Sequence, residues 1–311
     1  MIQPAPAPGI ASIAAQAGKN PFHGNPPMHR RDLIRAALLG AAAFTLRPFI
    51  AAAHATDALA ALERRHGGRL GVAVLDTGNG RRLRHRADQR FMMCSTGKLL
   101  VVGAVLARVD RGEERLDRRI VFGRDAVLDW APITRLHTGA SGMTVAALCH
   151  AALTVSDNTA MNLLLATLGG PAAATRYVRG LGDATTRFDR TEPELNVPAP
   201  GGLDTSTPDA MLADMHALLL GDALSAASRA QLLDWLRHNT TGAGQLRAGL
   251  PAGWSVGDKT GHSPTQTNDV AIAWPPHRAP LLVTAFYQGP AGGTDARKAV
   301  LAQVGALAAR V

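Results

Sequence analysis

Two cysteines in 311 residues, Cys94 and Cys149, are too few for a disulfide framework. The expected state is two small, buried, apolar thiols. Aromatic residues make up only 4% of the chain, and no basic stripe carries interleaved aromatics. That pattern argues against nucleic-acid binding. The histidines are scattered, with no H-x-H or C-x-x-C spacing, so no metal site and no cofactor is called for. No uninterrupted apolar run reaches the ~20 residues of a membrane-spanning helix. No internal repeat is present, which removes solenoids and propellers.

What is there is ordinary globular composition, with 46% hydrophobic and 18% charged residues. The length allows one large domain or two intimate lobes around a sizeable core. The formal charge of +9 is unevenly placed: the first 55 residues carry five Lys/Arg against one Asp, and the rest splits 28 to 23. Near the start, "HRRDLIRAALLGAAAFTL" sets Arg30 and Arg31 before an apolar run from Ala36 to Leu46. "AAAHA" at 51–55 then reads as a small-x-small cleavage site. The segment resembles a twin-arginine export signal. Residues 1–27 are Pro/Ala-rich, and Met28 is a second candidate start. The expectation is a signal over 1–55 and a mature, periplasmic protein from about Thr56. No stable membrane association is expected after cleavage.

"DALAALERRHG" (57–67) reads as an amphipathic helix ended by Gly67. "RLGVAVLDTGNGRRLRHR" (69–86) alternates apolar residues and turns back at "DTGNG", the pattern of a β-hairpin. Helical patterning covers 95–111, 144–153, 157–168, 171–180, 207–220 and 225–238. Strands return at 254–261, 268–275 and 281–289, and a closing helix is expected over about 293–310. The fold class is therefore α/β, of the α+β type: an antiparallel sheet flanked by terminal helices, with an all-helical lobe inserted. On this reading 56–311 is one domain. Its α/β lobe is about 56–90 and 240–311, its helical lobe about 91–239, and a site lies in the cleft between them.

Four short stretches carry chemistry. "MCSTGKLL" (92–99) places Ser95 and Lys98 three residues apart, on one face of a helix that would begin near Ser95. A serine hydroxyl needs a base nearby, and a desolvated lysine can be one. "TVSDNTAMN" (154–162) adds the Ser156 hydroxyl and the Asn158 amide, in a context that also suits a helix N-cap. "GDKTGHS" (257–263) puts Lys259 and Thr260 on a strand that ends at Gly261. "DRTEPELN" (189–196) is a proline-punctuated loop with Glu192 and Asn196.

"STGK", "VSDN", "RTEPELN" and "GDKTG", in this order, closely resemble a class A serine β-lactamase. The resemblance covers about 57–309. It implies hydrolysis of the cyclic amide of penicillins and cephalosporins, hence antibiotic resistance, by a monomer. Ser95 would attack the carbonyl, and either Lys98 or Glu192 through a water would be the acylation base. The backbone amides of Ser95 and His262 would hold the oxyanion. Ser156 would protonate the leaving nitrogen. Lys259 and Thr260 would hold the substrate carboxylate, and Asn158 would orient the substrate amide and the two lysines. Glu192, steadied by Asn196, would activate the deacylating water, while Arg190 pairs with an acid to hold the loop. Trp130, in "LDWAPITRLH", would flank the cleft mouth.

Departures from the family are also visible. Gly97 stands where a bulky apolar residue is usual, which would leave space beside the nucleophile. Thr267 and Gln245 occupy places where many members carry a carboxylate-binding arginine. Ser263 stands where some carbapenem-hydrolysing relatives have a second cysteine, so Cys94 has no such partner. Two rival readings remain: a penicillin-binding peptidase, and a β-lactam sensor that acylates once. Both lack a use for the "EPELN" loop.

Overall fold

A computed structural model describes residues 56–290 and 293–311. The export segment lies outside the described residues. Helix α1, described over 56–66, is followed by β1 (Arg69–Asp76) and β2 (Arg82–His85). The chain ends with β7 (Ser255–His262), β8 (Gln266–Trp274), β9 (Leu281–Gln288) and α9 (Thr294–Ala308). These strands form one five-stranded sheet in the order β2-β1-β9-β8-β7, antiparallel throughout. β1 and β9 pair along their whole length, from Arg69 opposite Gln288 to Asp76 opposite Leu281.

Both faces of the sheet are covered. On β1, Leu70, Val72 and Val74 join one apolar cluster, while Ala73 and Leu75 join the other. β9 divides the same way, with Leu281, Val283 and Ala285 on one side and Leu282 and Phe286 on the other. The first cluster includes Leu59 and Leu62 of α1 and Val300, Leu301 and Val304 of α9. The second continues into the helices between the two strand groups. Burial on both faces is why β1, β9 and the second half of β8 are near-continuous apolar runs, rather than the alternation expected for 69–76.

Those helices are α2 (Lys98–Asp110), α3 (Val145–Thr154), α4 (Asn158–Leu168), α5 (Pro171–Gly180), α6 (Pro208–Leu219) and α7 (Ala226–Arg237); the short α8 (Leu246–Gly249) that follows them joins the first cluster through Leu246. The inserted stretch is not helical throughout. It also holds two short antiparallel ladders: β3 (Phe91–Met92) with β6 (Thr205–Ser206), and β4 (Arg119–Phe122) with β5 (Gly139–Thr144). The first is two residues long and the second runs through "GASGMT", so neither shows alternation. Cys94 and Cys149 are buried free thiols. Burial, and then the Glu192 charge, pushes the Cys94 thiol up to about 12; burial raises that of Cys149 too.

Candidate active site

Ser95 does not lie within α2. It sits in a 3₁₀ turn, Cys94–Gly97, that feeds the helix, so Lys98 is the first residue of α2. Cys94 enters the turn at φ 49°, a left-handed conformation that costs a non-glycine residue about 1–2 kcal/mol. The turn is clamped from the sheet: Asn268 Nδ2 on β8 donates to Met92 O at 2.8 Å and Met93 O at 3.1 Å. β7, at the edge of the sheet, passes close alongside. A Cβ on Gly261 would stand 2.8 Å from Met93 O and 3.0 Å from the amide nitrogens of Ser95 and Thr96. Glycine is needed there for the approach of two backbones.

Lys98 is wholly buried, and that burial lowers its pKa against the opposing pull of Glu192. Its Nζ faces five oxygens: Ser95 Oγ at 2.9 Å, Ser156 O at 2.9 Å, Ser156 Oγ at 3.2 Å, Asn158 Oδ1 at 2.6 Å and Glu192 Oε1 at 3.0 Å. An ammonium has three N–H groups, so two of those acceptors go unserved at any instant. Lys259, equally buried, donates to Ser156 Oγ at 3.0 Å and Thr260 O at 2.8 Å. Burial and the Lys98 charge bring its pKa down to about 7, against Asp258, Asp269 and Glu192. Ser156 itself is held at φ 59°, so strain sits at the residue that bridges the two lysines.

Asp157, buried, caps α4 by accepting from Ala160 N at 2.9 Å. Its other oxygen accepts from Ile133 N at 3.0 Å and Thr134 N at 2.9 Å, which ties the neighbouring loop to the helix. That loop carries Trp130, which is 57% exposed. The indole Nε1 donates to Val155 O at 3.1 Å, one residue before Ser156, while Trp130 O accepts from Asn158 N at 2.9 Å.

Glu192 is anchored at both ends. Its backbone makes two hydrogen bonds with the Asn162 side chain, at 2.9 and 2.8 Å. Asn196 Nδ2 donates to Glu192 Oε2 at 2.5 Å, and Glu192 Oε1 accepts from Ser95 Oγ at 3.4 Å. The acid that pairs with Arg190 is Asp204, at 2.6 Å. A hydroxyl, an amine and a carboxylate thus converge with a second lysine, both amines and the carboxylate being buried, a layout suited to acyl transfer.

Comparison with known proteins agrees with this chemistry. A family model described as the beta-lactamase enzyme family matches residues 54–311. The chain belongs to the class A serine β-lactamases. The β-lactamase OXY-1 of Klebsiella oxytoca is 47% identical over 246 residues, 78% of this chain and 84% of that relative. The β-lactamase L2 of Stenotrophomonas maltophilia is 47% identical over 267 residues, 85% and 88% of the two chains. Among solved structures, an ancestral class A β-lactamase is 60% identical at TM-score 0.79, covering 81% of this chain and 98% of that one. The putative class A β-lactamase PenP from Rhodopseudomonas palustris is 53% identical at TM-score 0.80, covering 82% and 98%.

In this β-lactamase the space expected beside Gly97 is filled. The Phe188 ring occupies it, with Cε1 2.9 Å from where a Cβ on residue 97 would stand. Thr267 and Gln245 are both fully buried. Thr267 Oγ1 accepts from Nε of the buried Arg297 at 3.0 Å, so that guanidinium is held inside the fold. His262 is half-buried, and its Nε2 has no hydrogen-bond partner. Burial, then the charges of Lys259, Lys298 and Arg297, lowers its pKa to about 4. It is therefore neutral at pH 7.

Four supporting residues were not singled out from the sequence. Asn162 had a signal, since it lies four positions after Asn158 on the same helix. Asn268, Phe188 and Thr241, whose Oγ1 is 2.5 Å from Thr260 Oγ1, had none.

Proposed function

We propose that this β-lactamase opens the cyclic amide of penicillins and cephalosporins through an ester on Ser95, which a water activated by Glu192 then hydrolyses. The observation that carries this reading is the placement of Lys98 Nζ, 2.9 Å from Ser95 Oγ and 3.0 Å from Glu192 Oε1. Both candidate bases are thus within reach of the serine proton. Ser95 Oγ forms the bond to the carbonyl carbon and gives up its proton to Lys98, or to Glu192 through a water. The developing oxyanion is received by the backbone amides of Ser95 and His262.

The ring C–N bond then breaks, and its nitrogen needs a proton. Lys98 Nζ and Lys259 Nζ lie 3.2 and 3.0 Å from Ser156 Oγ, and when both amines are protonated and donate to it, its O–H is left to point away from them. That is the orientation of a donor to the leaving nitrogen, and the proton Ser156 gives up is replaced by the one taken from Ser95, passed on through Lys98 Nζ, 3.2 Å from Ser156 Oγ. Lys259 and Thr260 receive the substrate carboxylate, Asn158 orients the substrate amide, and Trp130 borders the mouth. Glu192 takes a proton from the water that attacks the ester, and that proton returns to Ser95 Oγ. A peptidase or a one-turn sensor would have no use for a glutamate whose backbone is fixed by Asn162 and whose carboxylate is fixed by Asn196.

Glu192→Ala tests the reading by uncoupling the half-reactions. Mass spectrometry with a penicillin should show a persistent one-to-one adduct on Ser95. Turnover should fall by about 10²–10⁴-fold, the usual worth of a general base. Ser95→Ala should give no adduct. Wild-type turnover by Glu192→Ala would assign the deacylating base to another group.

Class A β-lactamases are generally exported proteins, and no helix among the described residues is long and apolar enough to cross a membrane. The reading extends to a periplasmic monomer delivered by the twin-arginine route, supported by Arg30 and Arg31 ahead of the apolar run.

A further inference from the structure

Gly97 has φ −60° and ψ −20°, a helical conformation open to any residue. Helix propensity would favour alanine there. What keeps a side chain out is Phe188. A Cβ at position 97 would lie 2.9 Å from Phe188 Cε1, 3.4 Å from Cζ and 3.7 Å from Met93 Cε. The ring rests directly on the main chain between Ser95 and Lys98. It is buried, and its own backbone is pinned to α5: Phe188 N donates to Thr175 Oγ1 at 2.9 Å, and Thr175 Oγ1 donates to Phe188 O at 2.9 Å.

From Phe188 the chain runs through Asp189 and Arg190, whose amides donate to Asp204 Oδ1 at 2.8 and 3.0 Å, and on to Glu192. The nucleophile turn and the Glu192 loop therefore meet in two ways. One contact is attractive, the 3.0 Å ion pair of Lys98 with Glu192. The other is a hard stop, the ring against Gly97. Asn162 ties the Glu192 backbone to α4, and Asn196 ties the carboxylate to its own loop. Neither bond involves the nucleophile turn, whose direct steric contact with the loop is the Phe188 ring on Gly97.

We propose that Phe188 is a positioning residue for deacylation: its ring, seated on Gly97, sets the separation between the Ser95 turn and the Glu192 carboxylate. This rests on the reading of Glu192 as the base that frees the acyl-enzyme. Hydrolysis needs room for one water between the ester and the carboxylate. With a smaller spacer, the ion pair draws the loop inward and the water loses its place. With extra bulk at position 97, the loop is pushed out and the carboxylate loses its reach. Acylation, in which Lys98 already touches Ser95, is far less sensitive to this spacing.

The test uses the full chain with a chromogenic cephalosporin, reading burst rate (acylation) and steady state (deacylation) separately, with melting temperature recorded for each variant. Gly97→Ala and Phe188→Leu should each keep the burst while deacylation falls by about 10–100-fold, the usual effect of misplacement by up to an ångström. In the double variant the new methyl takes the place of the lost ring atoms. Deacylation should then return to within about threefold of wild type, a non-additivity expected of residues in contact. A purely structural role would lower the melting temperatures without this kinetic rescue. Unchanged deacylation in both single variants, or losses that simply add in the double variant, would overturn the proposal. A failure of the Glu192 reading shows separately, as wild-type turnover by Glu192→Ala.

Discussion

At the scale of single residues, Lys259 makes the sharpest claim about pH. Burial and Lys98 bring its pKa down to about 7. Its charge is lost as pH rises, so kcat/KM, which reports the free enzyme, should decline from just above neutrality. A bound carboxylate holds the proton on, so kcat should decline only at higher pH. Lys259→Arg, always charged, should move the kcat/KM limb up by more than ~1 pH unit. A wild-type profile flat to about pH 9 would remove Lys259 from carboxylate capture. The linked effect on stability has the opposite sense. A folded pKa below the unfolded one means that stability rises as pH goes from about 7 towards 10. Lys259 itself was legible in the sequence, as were Ser95, Lys98, Ser156 and Glu192, because each stands in a short polar motif. Asn268 and Phe188 were not. Their work is done across long separations in sequence, on Met92 and Met93 in one case and on Gly97 in the other.

At the scale of elements, helix starts were readable because capping chemistry marks them. Thr144, Asp157, Thr207 and Ser225 each accept a hydrogen bond from the first turn of α3, α4, α6 and α7. The small ladders were hidden by brevity and glycine, and β8 starts at Gln266 because buried polar residues extend it. Helix α6 also carries an anomaly. Asp214 lies on its buried face among Met211, Leu212, Met215 and Leu218. Burial, then the Asp183 charge, raises its pKa to about 9. An unfolded aspartate titrates near ~3.9. Stability is therefore fully present at low pH and is lost as pH rises through about 9. At pH 7 the loss is on the order of 3–4 kcal/mol. Asp214→Asn keeps a donor and has no proton to lose. It should raise the melting temperature near pH 8 by about 5–10 °C, with the gain vanishing towards pH 4. A gain of the same size at every pH would mean that Asp214 is not protonated in the folded enzyme.

At the scale of the whole molecule, replacing Arg30 and Arg31 by lysine should strand activity in the cytoplasmic fraction. Unchanged periplasmic activity would argue for another route. The architecture of the sheet bears on timing as well. Arg69 on β1 bonds to Gln288 on β9 across 219 positions, and β9 lies at the centre of the sheet, between β1 and β8. A ribosome adding about 5–20 residues per second needs roughly 10–40 s to travel between those two residues. Through that interval the nascent chain gains its serine and then its helices, but its sheet has no middle, because β7, which carries Lys259, β8, which clamps the serine turn, and β9 are made only in the last few seconds. The enzyme is thus assembled like an arch, inert until its keystone is set at the end of synthesis. A premature stop before β9 removes the stone that everything else leans on, so such a chain should reach neither the fold nor the activity.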